Sequence, residues 1–308
     1  MKYILIAFAL SLACFSQAFA VIDRTFVSTA GTDNASCGAF TSPCRTFGAA
    51  LPNTTPGGQI TALDSGTYDN ADINVTITVV LTAAPGVHAE TQTINVNASG
   101  TDRVVLRNLY VSKIPFYEGS AGNGIGVTHV GTLSIENCVI NGFSTGIDLN
   151  LGAAANVAIS NTTVLHSVSR GISVLTSAGL IKASVDHCRI ELGGGFGPIA
   201  DGITVLGRGR VTVRDTVATG NTGAGFVVTG GEMILDNCES SDNGNGVVSG
   251  NTSTASGLVI VSRTTATHNS QNGFRQEGTG TFNSTGDSIV RRNGSANTFG
   301  TIGSVSGT

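Results

Sequence analysis

A few side chains in this sequence are of types that could carry acid–base chemistry or hold a ligand. Asp148 and Asp201 are candidate acid and base, because glycosidic cleavage uses two carboxyl groups flanking the bond, and proton abstraction beside a uronate needs a base near fixed charge. Arg170 falls between them in sequence, and its planar guanidinium could hold a carboxylate through two parallel hydrogen bonds. Phe116, Tyr117, Phe143, His166 and Phe196 offer rings on which pyranose faces stack. Acidic residues otherwise occur about once per repeat, and no three carboxylates cluster with a cation. That distribution favours a binding surface over a catalytic centre.

Composition narrows the frame that must hold these residues. The chain has 308 residues, 42 of them Gly, with 12% charged residues and a net charge of -4. So much Gly with so little charge excludes a helix bundle, a coiled coil and a charged disordered chain. Only three lysines are present, too few to neutralise a run of phosphates, which excludes nucleic acid as a partner. Residues 1–20 read as a cleaved signal peptide: Lys2, an apolar run from Ile4 to Phe15, then Ala18-Phe19-Ala20 before Val21. Leu12-Ala13-Cys14 offers a rival lipoprotein reading, weakened by Ser11 and the short core before it. No later stretch is apolar enough to insert stably in a membrane, so the expected location is the medium or the periplasm.

Self-similarity decides the architecture. Leu133-Ser-Ile-Glu-Asn-Cys138, Val157-Ala-Ile-Ser-Asn-Thr162, Ala183-Ser-Val-Asp-His-Cys188 and Val211-Thr-Val-Arg-Asp-Thr216 share one pattern, and a second column runs Gly124-Ile125, Gly146-Ile147, Gly171-Ile172, Gly202-Ile203 and on to Gly273-Phe274. From Gly124 to Gly273 is 149 residues over six steps, about 25 per repeat. Short alternating strands at that period cannot bury their apolar faces alone and must stack on their neighbours. The spacing predicts a parallel β-solenoid of about nine or ten coils over 61–308, with Asn and Gly at corners of left-handed backbone. Residues 21–60 form an N-terminal cap, with a short helix starting at Thr41-Ser42-Pro43 and burying Phe47, Ala50 and Leu51. Cys37 and Cys44, seven apart beside Gly38 and Pro43, fit a disulfide. Cys138, Cys188 and Cys238 recur every 50 residues in one inward column, too far apart to bridge. The histidines lack metal-ligand spacing, so no metal site is expected.

Interval lengths locate the candidate site. The distance from the Cys/Thr column to the next Gly column is 8 or 9 residues in most coils, but 14 from Cys188 to Gly202 and 15 from Leu109 to Gly124. Both insertions leave the same edge of the rod, three coils or roughly 14 Å apart, and could wall a groove one sugar chain wide. Phe143, Asp148, His166, Arg170 and Ser173 are the outward positions expected between them, with Asp201 at the far lip.

The opening segments Phe26-Val27-Ser28-Thr29-Ala30-Gly31-Thr32-Asp33, Pro43-Cys44-Arg45-Thr46-Phe47 and Pro56-Gly57-Gly58-Gln59-Ile60, followed by these repeats, resemble the secreted right-handed parallel β-helix proteins of the pectin-lyase-like superfamily. The resemblance implies an all-β right-handed β-helix acting on or binding extracellular polysaccharide, and calcium as cofactor only if the chain is a lyase. It does not fix an activity, since that fold hosts lyases, hydrolases, esterases and adhesins. Val185-Asp186-His187-Cys188 is superficially similar to a pectate lyase segment, but shares its register with Glu136-Asn137-Cys138 and Asp236-Asn237-Cys238 and so reads as one more corner. The sequence therefore points first to polysaccharide binding without clear catalytic residues, with a pectate-lyase-like lyase or a glycoside hydrolase as the alternative. The C-terminal end shows no capping helix, which leaves end-to-end or lateral self-association open.

Overall fold

The computed structural model describes residues 22–69, 71–113, 122–176, 178–194, 200–250 and 256–306. The leader and the rings Phe116, Tyr117 and Phe196 lie outside the described residues. The chain folds as an all-β right-handed parallel β-helix of about 9 turns.

One coil shows how the sequence pattern becomes three faces. Thr145–Leu151 forms a strand of the first face, Ala155–Ser160 of the second and Thr163–Leu165 of the third, before Arg170–Thr176 returns to the first. Each strand pairs in parallel with its counterpart one coil on, as in Ile147 with Ile172, Val157 with Ala183 and Val164 with Ile190. Strict alternation sends Ile147, Leu149 and Leu151 inward and Asp148 and Asn150 outward. Stacked in register, the inward residues form continuous columns: Ile125, Ile147, Ile172, Ile203, Phe226, Val247 and Phe274 are all buried. Among the described residues the third face has ten short strands, from Gly66–Thr67 to Ile289–Arg291.

Two corners in each coil need left-handed backbone. Between the second and third faces stand Asn108, Asn137, Asn161, His187, Asp215, Asn237 and Arg263, with φ between 47° and 57°. Asn is favoured there because its short polar side chain tolerates that conformation. His187 occupies this column as expected of a corner. Past the third face, His166, Leu192, Asp242, His268 and Arg292 have φ between 50° and 57°, with Gly142 and Gly220 in the same role.

The residue after each corner points inward. After the second corner the later coils carry Asn221, Asn243, Asn269 and Asn293; Asn221 Nδ2 donates to Asn243 Oδ1 at 2.9 Å, and Asn269 Nδ2 to Asn293 Oδ1 at 2.9 Å. Phe143 occupies this same position beyond Gly142 and is buried, at 1% exposure. The expectation that Phe143 faces a ligand is thus wrong: the left-handed corner turns it into the core. After the first corner, Cys138, Thr162, Cys188, Thr216, Cys238 and Thr264 form the expected buried column, and the three thiols are free. Burial pushes each thiol up to about 11.

The N-terminal end differs from its sequence reading in one respect. The helix spans Phe47–Ala50, capped by Thr46 Oγ1, which accepts from the Ala49 N–H at 3.1 Å, and continues as a 3-10 turn over Leu51–Asn53. It does not begin at Pro43, because Cys44 is held extended: its N–H donates to Phe26 O and its carbonyl accepts from Ser28 N–H. Phe47, Ala50 and Leu51 are buried as expected, and Cys37 and Cys44 are joined, Cα to Cα 4.9 Å. The solenoid ladder already starts in this region, where Ile22–Val27 pairs with Thr54–Ala62 and that strand with Val79–Ala83. At the other end Ala296–Phe299 and Ile302–Ser304 continue the first and second faces. No helix among the described residues is long and apolar enough to cross a membrane.

Candidate functional site

Both long intervals connect a third-face strand to the next first-face strand, Leu109–Ser112 to Asn123–His129 and Arg189–Glu191 to the strand beginning at Asp201. They leave the rod on one edge, three rungs apart. The outer side of the first face between them carries two rows set by strand register. One row runs Asn123, Thr145, Arg170, Asp201 and the other Gly126, Asp148, Ser173, Thr204. Asp148 and Asp201 therefore stand two coils apart, roughly 10 Å along the rod, with Arg170 on the coil between them.

Asp148 is half-buried and accepts from Asn123 Nδ2 at 3.0 Å. Asp201 is half-buried and accepts from the Ala224 N–H at 2.8 Å. Burial pushes the Asp201 carboxyl above the usual carboxylate range, although that N–H, the Arg170 charge and the Thr204 hydroxyl oppose the shift. Arg170 pairs with Asp201 as its rung neighbour, and its Nε is buried without a hydrogen-bond partner. Ser173 and Thr204 lie on the outward row yet are 3% and 2% exposed, with the Thr204 hydroxyl beside the Asp201 carboxyl. A buried polar atom without a partner costs about 1–3 kcal/mol, so the Arg170 guanidinium is the place where a ligand's carboxylate would be stabilising.

The structure brings Asp148, Arg170 and Asp201 onto one surface and places His166 at its rim. His166 is exposed at the second corner, with Nδ1 2.9 Å from Asn141 Oδ1. Phe143 is removed from this surface by its burial. Thr204 was missed because a threonine in a strand carries no chemical signature. Only the step from Asp148 to Ser173 to Thr204, one coil each, could have found it.

Two groups among the described residues bring three ligand-type atoms within 4.8 Å of one another. In Asp33, Cys37 and Cys44 both sulfurs are taken by the disulfide. Asp186, His187 and Asp215 project from neighbouring corners into solvent, where Asp215 Oδ1 accepts from Asn237 Nδ2 at 2.5 Å.

A family described as "Right handed beta helix region" matches residues 123–298, more than half of the chain. The chain belongs to that family. Among solved structures the β-helix is similar to pectate lyase Pel9A, with a TM-score of 0.55 and 17% identity, covering 89% of this chain and 71% of that one. At that identity the likeness concerns the pectin-lyase fold alone. No curated protein matches this β-helix.

Proposed function

We propose that this β-helix is an exported protein that binds polysaccharide along the outer side of its first face. The observation that carries the reading is Arg170, whose Nε has no partner in the structure, beside the Asp201 carboxyl on the next coil. A sugar chain lying across the coils supplies hydroxyls to Asp148 and a carboxylate to Arg170. The fold neighbour's name, a pectate lyase, supports polysaccharide as the ligand class. Export is supported by the leader-type residues 1–20 and by the Cys37–Cys44 disulfide, a bond typical of oxidising compartments. N-terminal sequencing of exported material starting at Val21 checks that part.

The second reading, catalysis, is favoured by one observation: burial raises the Asp201 carboxyl above the usual carboxylate range, with Asp148 two coils away on the same face and Arg170 on the coil between. An acid with a raised pKa opposite a second carboxylate is the arrangement that general acid–base cleavage uses. The test is to incubate the protein, with and without calcium, with pectins, alginates and neutral glucans. Unsaturated-uronate absorbance and new reducing ends report turnover, and retardation in polymer-loaded gels reports binding. Retardation without turnover, weakened about tenfold or more by Arg170→Ala, is the expected result, since such a charged hydrogen bond is worth about 1.5–3 kcal/mol. Turnover lost in Asp148→Ala and Asp201→Asn assigns catalysis instead. Binding unaffected by any of the three removes the first face as the site.

A further inference from the structure

The second face carries a groove that the first-face reading does not use. Arg103, Thr132, Asn156, Lys182 and Arg210 stand in ladder register on five successive coils, all outward and exposed. Two residues further along each strand lies a floor of small side chains: Ser134, Ala158, Ser184 and Thr212. Together they enclose a groove of about 590 Å³ running along the rod axis. Its lining holds three cations and no carboxylate, in a chain whose net charge is -4.

The cations are available. Neither the Arg103 nor the Lys182 side chain has a hydrogen-bond or ion-pair partner among the described residues. Arg210 Nε lies 3.6 Å from Glu232 Oε2 on the next coil, an exposed pair too long and too solvated to hold the guanidinium fast. Across the floor, Glu136 is already neutralised, accepting from Arg107 Nε at 2.7 Å and Ser134 Oγ at 2.6 Å. The row across the floor is mixed, Arg107 and Arg214 standing in register with Glu136 and Asp186, so the groove's excess of positive charge comes from Arg103, Lys182 and Arg210. Lys182 and Arg210 are one coil apart, about 5 Å, and Arg103 is three coils from Lys182, about 14 Å.

We propose that this groove binds an acidic polysaccharide lying parallel to the rod axis, on a face separate from that of Asp148, Arg170 and Asp201. The proposal rests on the polysaccharide reading above for the kind of polymer and adds the place and the charge. Charge complementarity selects an anionic chain, and the long, open and shallow shape selects an extended one. The floor offers hydroxyls and methyl groups, suited to the mixed polar and apolar faces of pyranoses. No aromatic side chain lines it, so the stacking by which single-stranded nucleic acids are held is missing.

The test compares the wild-type protein with a second-face variant, Lys182→Gln/Arg210→Gln, and a first-face variant, Arg170→Gln. Binding to polygalacturonate, uncharged dextran and polyglutamate is measured by calorimetry at low and high ionic strength. Lys182 and Arg210 are exposed side chains and Arg170 is half-buried, and circular dichroism confirms that the variants fold. The expected result is a loss of about tenfold or more in polygalacturonate affinity in the second-face variant, two exposed charge contacts' worth, with a salt dependence that the variant lacks. Dextran binding is unchanged by it. An undiminished polygalacturonate affinity in that variant, with Arg170→Gln losing it, overturns the second-face groove and leaves the first-face reading standing. Polyglutamate bound as tightly as polygalacturonate overturns the assignment to a glycan. Absence of binding to every polymer overturns both readings.

Discussion

Asp69 and Asp64, both close to the capping helix, answer pH in opposite senses. Asp69 is buried, and although it accepts from the Phe47 and Gly48 N–H groups, burial raises its carboxyl from 3.8 to about 6. The folded state then holds a proton that the unfolded chain releases, so its contribution to stability declines as pH rises from 3.8 through 6 and is level above. Two pKa units correspond to about 3 kcal/mol. For Asp64 burial also raises the value, but hydrogen bonds from Tyr68, Thr29 and Ser28 outweigh it and bring the carboxyl down to about 2. That contribution is present above 3.8 and is lost as pH falls towards 2, and its partial exposure makes it the smaller of the two. Denaturant unfolding of Asp69→Asn at pH 4 and pH 7 should therefore show a stability difference between the two pH values about 2 kcal/mol smaller than in the wild type. An unaltered slope would show that the Asp69 carboxyl does not hold that proton. Residues of this kind were not legible in the sequence. Asp69 looks like any loop aspartate until the helix ends against it, and Phe143 looks like a sugar-stacking ring until the left-handed corner at Gly142 turns it inward.

Strands and corners were legible at the level of columns, because each column repeats one side-chain size at the coil period. The Gly column is the clearest instance. A Cβ built on Gly171 would strike the Ile190 side chain and stand 2.6 Å from the carbonyl oxygen of Gly202, and Gly146 meets Gly171 O at 2.7 Å in the same way. These glycines are kept because consecutive coils approach backbone to backbone at that turn. Gly171→Ala should destabilise the protein by about 1–3 kcal/mol through overpacking against atoms that cannot withdraw. Gly100→Ala is the matched control, since a Cβ there meets nothing within 4 Å and its φ is not left-handed. It should be neutral or stabilising by about 0.4–1 kcal/mol, through the unfolded chain alone. Urea midpoints of the two variants check both values, and equal effects would rule out the close approach as the reason for the column. The helix start was misplaced for a comparable reason: Pro43 is a good first helical residue, but a strand-like bridge between Val27 and Cys44 claims the backbone before Thr46 can cap. The second-face groove was invisible because Arg103, Lys182 and Arg210 are far apart in sequence and align only through register.

At the scale of the whole rod, each coil touches only the coils on either side, so stability is a sum over neighbours and the ends set where opening begins. The disulfide sits at one such end. Cys44 is fully buried, its backbone bridges Phe26 and Ser28, and Asn53 Nδ2 reaches Ala49 O and Asn34 O beside the two sulfurs. Closing a loop of this size is worth about 2–3 kcal/mol in the chain-entropy account. In a rod of coupled neighbours that loss stays local. The double substitution Cys37→Ser/Cys44→Ser should accelerate amide exchange by roughly 30- to 100-fold at Phe26, Ser28 and the rungs pairing Thr25 with Ile60, with the effect fading over the next coils. The ladder joining Ile147, Ile172 and Ile203 should exchange at its wild-type rate. The pattern along the axis decides the matter: acceleration that is uniform over all coils would mean that the rod opens as one unit. The first- and second-face surfaces, which span the coils from Arg103 to Arg210, would then depend on a disulfide several coils away.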